Sequence, residues 1–221
     1  FEPDELLQDP FEAGLAYNAD AIYQNENTGP REYVSDYQSF RSTRLNKSQT
    51  INQSGYISEF GISLASNFKD KLYIGGMIGL PILLYEEEKT YQETDPNETI
   101  GFFENLEFKE NLSAAGAGIN FKIGLIYRLN QQLRFGLAAH TPTVYSIEED
   151  FSTSIDYVFS NPPFTPFGLQ ESPSGNFQYS LRTPWRLIGS VGTIIAKRGF
   201  VSAEVEYVDY SIGQFNFESE A

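Results

Sequence analysis

The residue types that could do chemistry in this chain are one histidine and several carboxylates. His140 is the only histidine among 221 residues, and the sequence contains no cysteine. Catalytic triads, multi-histidine metal sites and thiolate sites all need residues that this sequence lacks. Glu204 and Glu206 could be imagined as a hydrolytic pair, but on a strand they point the same way about 7 Å apart, and solvation explains them. We therefore predict no enzymatic activity and no cofactor.

Two acidic runs, Glu86-Glu87-Glu88 and Glu148-Glu149-Asp150, are candidate cation ligands. They stand where strands are expected to pass into long loops. Hard divalent cations take oxygen ligands, but the spacing of these residues matches no EF-hand loop. Solvated charge explains the runs equally well, and the sequence predicts no metal site.

Overall charge narrows the class of partner. Acidic residues outnumber basic ones 30 to 15, which gives a formal charge of -15. Binding to a phosphate backbone needs the opposite sign, so we expect no nucleic-acid partner. No apolar run is long enough for a transmembrane helix, and the numbered chain opens without a signal region, as a mature or trimmed product would.

The elements that must position these residues are strands. From Thr50 onward, apolar residues recur at every second position, which is the period of a two-faced strand. We predict six antiparallel strands within 50–217, followed by a tail at 218–221. The predicted bounds are about 51–66, 72–92, 106–128, 133–159, 177–196 and 200–217.

Ionised side chains lie on the less apolar face of these strands. A charged group such as Lys122 near the middle of a strand must face water, so we interpret this face as the lumen of a transmembrane β-barrel. The alternative is a soluble antiparallel barrel or sandwich whose apolar face is a packed core. The predicted lumen-facing, ligand-binding residues are Glu59, Lys122, Arg134, Arg186, Glu204 and Glu206.

Short turns alternate with long loops along the chain. Short turns are predicted at 67–71, 129–132 and 197–199, and long polar loops at 86–105 and 160–176. This asymmetry is typical of outer-membrane barrels, with short periplasmic turns and long external loops. Pro81 and Pro142 fall within predicted strands, where a proline marks a bulge or an unpaired stretch.

The flanking segments carry further predictions. Residues 1–49 show near-helical spacing followed by polar sequence, which indicates a short helical segment and an external loop. In the loop 160–176, Phe164, Phe167 and Leu169 stand among prolines. Exposed apolar residues usually make contacts, so these three are candidates for ligand capture, or else a plug in the barrel mouth.

Several segments of the predicted strands and turns carry a family resemblance: Ser54–Phe60, Lys71–Gly76 with Ile78–Pro81, Arg182–Arg186 and Val205–Ser211. They resemble segments of the FadL-type outer-membrane transporters of hydrophobic compounds, over roughly residues 50 to 215. The resemblance implies a barrel of more than six strands, plugged by an N-terminal hatch, in which external loops capture an apolar ligand. The hatch, the early strands and the last strands of the family have no counterpart here.

The predicted function follows from the two different faces of the strands together with this resemblance. It is passive uptake of hydrophobic small molecules such as fatty acids in the bacterial outer membrane, with membrane lipid as a partner. Two alternatives stay open: a barrel subunit or docking platform that binds envelope proteins, and a soluble ligand-binding β-barrel.

Overall fold

The computed structural model describes residues 9–24, 33–35, 44–159, 168–196 and 198–217. Within these ranges the chain is all-β and antiparallel, with one short helix near its N-terminus. The predicted fold class is confirmed at this level. No helix in the described ranges is long and apolar enough to cross a membrane.

The strands differ widely in length. The helix α1 spans Ala13–Asn18, and a short 3-10 helix spans Tyr210–Ile212. The strands are β1 (Tyr23–Gln24), β2 (Tyr33–Val34), β3 (Asn46–Phe68), β4 (Leu72–Thr94), β5 (Phe103–Arg128), β6 (Leu133–His140), β7 (Val144–Phe159), β8 (Gln170–Glu171), β9 (Gly175–Arg182), β10 (Arg186–Ile195), β11 (Gly199–Val208) and β12 (Gln214–Phe217).

The main sheet is an up-and-down arrangement. β3 pairs with β4, and β4 pairs with β5. Both β6 and β7 then pair with β5, so they continue one strand line. β6 pairs with β10 and then β11, while β7 pairs with β9 and then β12. Neighbouring lines are therefore neighbours in the sequence, as expected for strands joined by hairpins.

Three strand lines are each divided in two where single strands were predicted. The runs predicted at 133–159, 177–196 and 200–217 are interrupted at 141–143, 183–185 and 209–213. Two of these interruptions contain a proline, Pro142 or Pro184, which cannot donate a ladder hydrogen bond. In the third, the Asp209 carboxylate accepts from the Ser211 amide at 3.0 Å. By contrast, β4 runs as one strand through Pro81.

Threonine hydroxyls satisfy backbone groups at the interruptions. The Thr143 amide donates to the Thr183 hydroxyl at 2.8 Å, and the Thr183 amide donates to the Thr143 carbonyl at 3.0 Å. The Phe121 amide donates to the Thr141 hydroxyl at 2.8 Å. Backbone amides need acceptors, and the threonine hydroxyls supply them where the strand ladder is interrupted.

The long loop predicted at 86–105 is wrong, because most of it is strand. β4 extends to Thr94 and β5 begins at Phe103, which leaves a turn at 95–102. Polar cross-strand pairs support the extension: Lys47 lies 2.6 Å from Glu93, and Gln92 donates to Glu107 at 2.6 Å. Charged residues on both faces of a strand have no apolar period, so they look like a loop in the sequence.

The chain divides into two compact units. Unit 1 comprises Phe1–Ser54, Tyr85–Ser113 and Glu149–Asn176. It contains a hydrophobic core in which α1 packs on the long strands through Leu15. The aromatic rings of Phe103 and Tyr157 meet there at 5.4 Å between centroids. The buried members of the core are Leu15, Ala19, Ala21, Ile100, Phe103, Leu106, Ile155 and Tyr157.

Unit 2 comprises Gly55–Leu84, Ala114–Glu148 and Phe177–Ala221, and its strands have two different faces. One, here called the apolar face, exposes most of its large side chains; Leu64 is 83% and Val205 73% exposed. The other, here called the polar face, carries the ionised residues. Within the described part of unit 2, the buried residues are Gly79, Pro81, Ala114, Asn120, Pro142, Tyr145 and Ile147. The apolar residues of unit 2 therefore do not form a packed core.

The interruption at 141–143 also changes the parity of the polar face. On β6 this face carries even-numbered residues, including His140, which pairs with Lys122. On β7 the residues that meet β5 glycines are odd-numbered: a Cβ at Gly118 would lie 2.9 Å from the Tyr145 ring. One extra residue in the strand line accounts for the change, as in a β-bulge.

Candidate functional site

Strand register collects the predicted lumen-facing residues on the polar face of unit 2. Residues directly opposite each other in an antiparallel pair share a face. Lys122 pairs with His140, and His140 pairs with Arg186. Arg134, Glu204 and Glu206 fall on the same face by the same register. Alternation along the sequence therefore predicted the face correctly.

Glu59 is held on this face by a network that joins β3 to β5. Its carboxylate forms an ion pair with Lys122. It also accepts from the Asn120 side-chain amide at 2.7 Å, and the same amide lies 3.1 Å from the Thr143 hydroxyl. Asn120 is only 5% exposed. A buried amide with two partners orients the carboxylate more firmly than the ion pair alone.

Gly79 of β4 leaves the space that this network occupies. A Cβ at position 79 would collide with the Glu59 carboxylate and lie 2.5 Å from the Asn120 side-chain oxygen. Real Cβ atoms do not approach other atoms so closely. The network therefore depends on the missing side chain at position 79.

A second ion pair lies on β10 and β11. The Arg186 guanidinium is 3.5 Å from the Glu206 carboxylate, and both side chains are substantially exposed. Exposed pairs of this kind contribute little to stability. Glu204 lies opposite Ser190 and takes part in no ion pair with the described residues. Glu204 and Glu206 thus have different environments despite their spacing.

Between these charged residues lies a patch of small side chains, here called the glycine floor: Gly75, Gly124, Gly136 and Ala138. The floor lines a cavity of about 660 Å³ on the polar face. Lys122, His140 and Glu204 contribute ionisable groups to its lining. Small residues leave room for a ligand, and a few polar groups can orient it.

Sequence reasoning identified the charged residues of this site but missed the glycine floor. The available signal was that Gly124 lies two residues from Lys122 on β5 and Gly136 two residues from Arg134 on β6, so each glycine shares a face with a charged residue. A glycine within a strand often marks a close approach or a space for a ligand.

Arg134 lies at the last row of the polar face before the turns. Its cross-strand partner on β5 is Arg128, so two guanidinium groups are paired directly. Like charges placed opposite each other destabilise a sheet. Neither arginine forms an ion pair with any residue in the described ranges.

Part of the predicted loop site lies outside the described residues. Phe164 and Phe167 fall in 160–167, for which no structure is described. Leu169 is 57% exposed and precedes β8, which pairs with β7. The candidate roles of these three residues in ligand capture stay predictions.

The acidic run Glu86–Glu88 lies within β4, so its side chains alternate between the two faces. Glu87 is engaged separately: the Tyr85 hydroxyl donates to it at 2.7 Å and Lys89 lies 3.0 Å away. Hydrogen bonds from Tyr85, Lys89 and Gln53 lower the pKa of Glu87 to about 2. Among the described residues, no group of three or more His, Asp or Glu side chains could hold a metal ion.

His140 lies between cations and away from any catalytic arrangement in the described ranges. Its neighbours across the sheet are Lys122 on one side and Arg186 on the other. The Glu59 carboxylate is already engaged by Lys122 and Asn120, and the Glu206 carboxylate by Arg186.

The chain was compared with known protein families and with curated proteins: no family model matches it, and no curated protein matches it.

Proposed function

We propose that this chain forms part of the wall of an outer-membrane β-barrel that passively takes up hydrophobic small molecules, such as fatty acids. One observation carries the proposal: the strands of unit 2 expose a continuous apolar face on one side and carry ion pairs on the other. A soluble protein rarely exposes so large an apolar patch. A membrane barrel needs an apolar exterior and a polar lumen.

The glycine floor supports passage of a solute along the polar face. Its cavity of about 660 Å³ lies between ionised groups, yet its surface is largely Gly, Ala and aliphatic side chains. An apolar molecule could rest there, while Lys122 and its neighbours keep the surrounding surface hydrated. Sites for small ligands commonly combine these two features.

Spin labels on alternate residues of β5 would test the membrane placement. The chain has no cysteine, so single cysteines at Ile123 and Gly124 can be labelled cleanly in the full chain reconstituted in vesicles. We expect the label at Ile123 to collide with oxygen dissolved in lipid, and the label at Gly124 with a water-soluble nickel chelate. A packed soluble core would shield Ile123 from both reagents and contradict the proposal.

Filling the glycine floor would test the transport function. Ala138→Trp should reduce entry of a fluorescent fatty acid into reconstituted vesicles to the rate of protein-free vesicles, because the indole occupies the cavity. Ala139→Trp is the matched control, since Ala139 is the next residue on β6 and belongs to the apolar face. Equal uptake by the two variants would contradict passage over the floor.

A docking platform in an envelope assembly is the second candidate, favoured by β3. All 23 residues of β3 are exposed, and within the described ranges this strand pairs only with β4. An exposed edge can accept a strand from another protein. Purification of the full-length protein from outer membranes should yield stoichiometric protein partners if this role applies, and lipid alone if it does not.

A further inference from the structure

Basic residues are concentrated at the short turns of unit 2. The segments 67–72, 128–134 and 196–199 contain six of the 15 Lys and Arg residues but only one of the 30 Asp and Glu residues. These turns are therefore basic although the chain has a formal charge of -15. Their cations among the described residues are here called the basic turn surface: Lys69, Lys71, Arg128, Arg134 and Arg198.

The cations of this surface have no protein counter-ion in the described ranges. No carboxylate lies within ion-pair distance of Lys69, Lys71, Arg128, Arg134 or Arg198. The single acidic residue, Asp70, instead accepts a hydrogen bond from the Asn67 side chain at 2.6 Å. Backbone bonds hold these segments together, because the Arg128 amide donates to the Lys71 carbonyl at 2.7 Å. The like charges of Arg128 and Arg134, which lie opposite each other, therefore have no counter-ion among the described residues.

Each turn also places an exposed apolar side chain beside a cation. Phe68 is 63% exposed, and the Lys69 ammonium lies 5.3 Å from the centre of its ring. Leu129, next to Arg128, is 50% exposed, and Ile195, whose carbonyl accepts a hydrogen bond from the Arg198 amide, is 53% exposed. Such pairs are typical of the boundary between hydrocarbon and headgroups, where the apolar part enters the membrane and the charge remains in the polar layer.

We propose that the basic turn surface binds the headgroups of anionic phospholipids in the membrane leaflet on the turn side. Headgroup phosphates supply the negative charge that the described part of the protein lacks here, and the acyl chains meet Phe68, Leu129 and Ile195. An acidic protein would match the charges alone but would leave these three apolar side chains uncovered. This inference rests on the membrane placement proposed above.

Lipid retention by the full chain tests the inference. The protein is reconstituted in nanodiscs of phosphatidylcholine and phosphatidylglycerol, extracted with mild detergent, and its bound lipids are counted by mass spectrometry. We expect phosphatidylglycerol to be enriched in the extracted protein, and the enrichment to fall at least about fivefold in Lys69→Gln/Lys71→Gln/Arg198→Gln. The matched control, Arg44→Gln/Lys89→Gln/Lys109→Gln, makes the same change in net charge elsewhere and should retain it.

Washing the unmodified protein at high salt gives a test that needs no variant, because screening should release the lipid. Equal enrichment in the two triple variants, or none in the unmodified protein, would overturn the lipid assignment; absence in the unmodified protein would point to an acidic protein partner. The spin-label experiment in pure phosphatidylcholine separates the two proposals. A chain embedded there but without lipid preference overturns this inference alone, and a chain that stays outside the bilayer overturns both.

Discussion

At the scale of single residues, the polar face depends on a glycine that leaves space as much as on charged side chains. Glu59, Asn120 and Lys122 meet over Gly79, where no side chain intervenes. A charge on a strand is visible in the sequence. The residue that pairs with this charge depends on the register of the neighbouring strand, and the alternation of apolar and polar residues does not determine that register.

Gly79→Ala should destabilise the folded protein by about 1–3 kcal/mol, because the new methyl group displaces the Glu59 carboxylate and the Asn120 amide. Urea-induced unfolding of the reconstituted chain measures the free energy. Gly76→Ala is the matched control on the same strand, since its Cβ would approach only the Lys122 carbonyl, at an ordinary 3.8 Å. If both variants lose the same free energy of unfolding, the loss comes from replacing a glycine in the strand and not from disturbing the Glu59 network.

Glu87 gives a prediction about pH. Its pKa is lowered to about 2 by hydrogen bonds, the largest from the Tyr85 hydroxyl. A carboxyl whose folded-state pKa is lowered stabilises the fold above its unfolded-state pKa, and this contribution is lost as pH falls towards 2. We expect Tyr85→Phe to raise the pKa of Glu87, measured by carboxyl NMR titration. An unchanged titration of Glu87 in this variant would contradict the assignment.

At the scale of elements, the sequence predicted six strand lines and the faces of most of them. It did not predict their lengths, because β4 and β5 continue beyond the apolar stretch with charged residues on both faces. It also did not predict three interruptions. Pro142 was a visible signal, but the parity change after 141–143 depends on how the chain passes the proline, which alternation cannot encode.

Threonine hydroxyls should carry measurable stability at these interruptions. Thr183→Val removes the acceptor of the Thr143 amide, which lies 2.8 Å from the hydroxyl. The amide then loses its partner, at an expected cost of about 1–3 kcal/mol in the free energy of unfolding. Thr183→Ser keeps the hydroxyl and should retain most of the stability. If valine and serine behave alike, the hydroxyl is not the acceptor that stabilises this break.

At the scale of the whole molecule, composition indicated the β class, and its acidic balance predicts no nucleic-acid partner. The spatial distribution of charge could be found only from the structure. The turn segments were recognised as turns, but the meaning of their basic residues depends on the neighbouring Phe68 and Ile195, which the structure shows to be exposed. Likewise, the choice between a membrane wall and a soluble barrel turns on whether the apolar face is covered. Coverage of this face depends on packing, and the two-residue alternation in the sequence does not determine it.

The glycine floor has a consequence for engineering. The cavity over the glycine floor exists because these positions carry small side chains or none. Substituting alanine for one glycine at a time would therefore narrow it by one methyl group at each step. At Gly124 an added Cβ would lie 3.7 Å from the Leu137 carbonyl, an ordinary contact, whereas at Gly136 it would collide with the Ser190 hydroxyl. Position 124 is therefore where a methyl group would narrow the cavity with the fold intact, and position 136 is where the same change would first disturb the sheet.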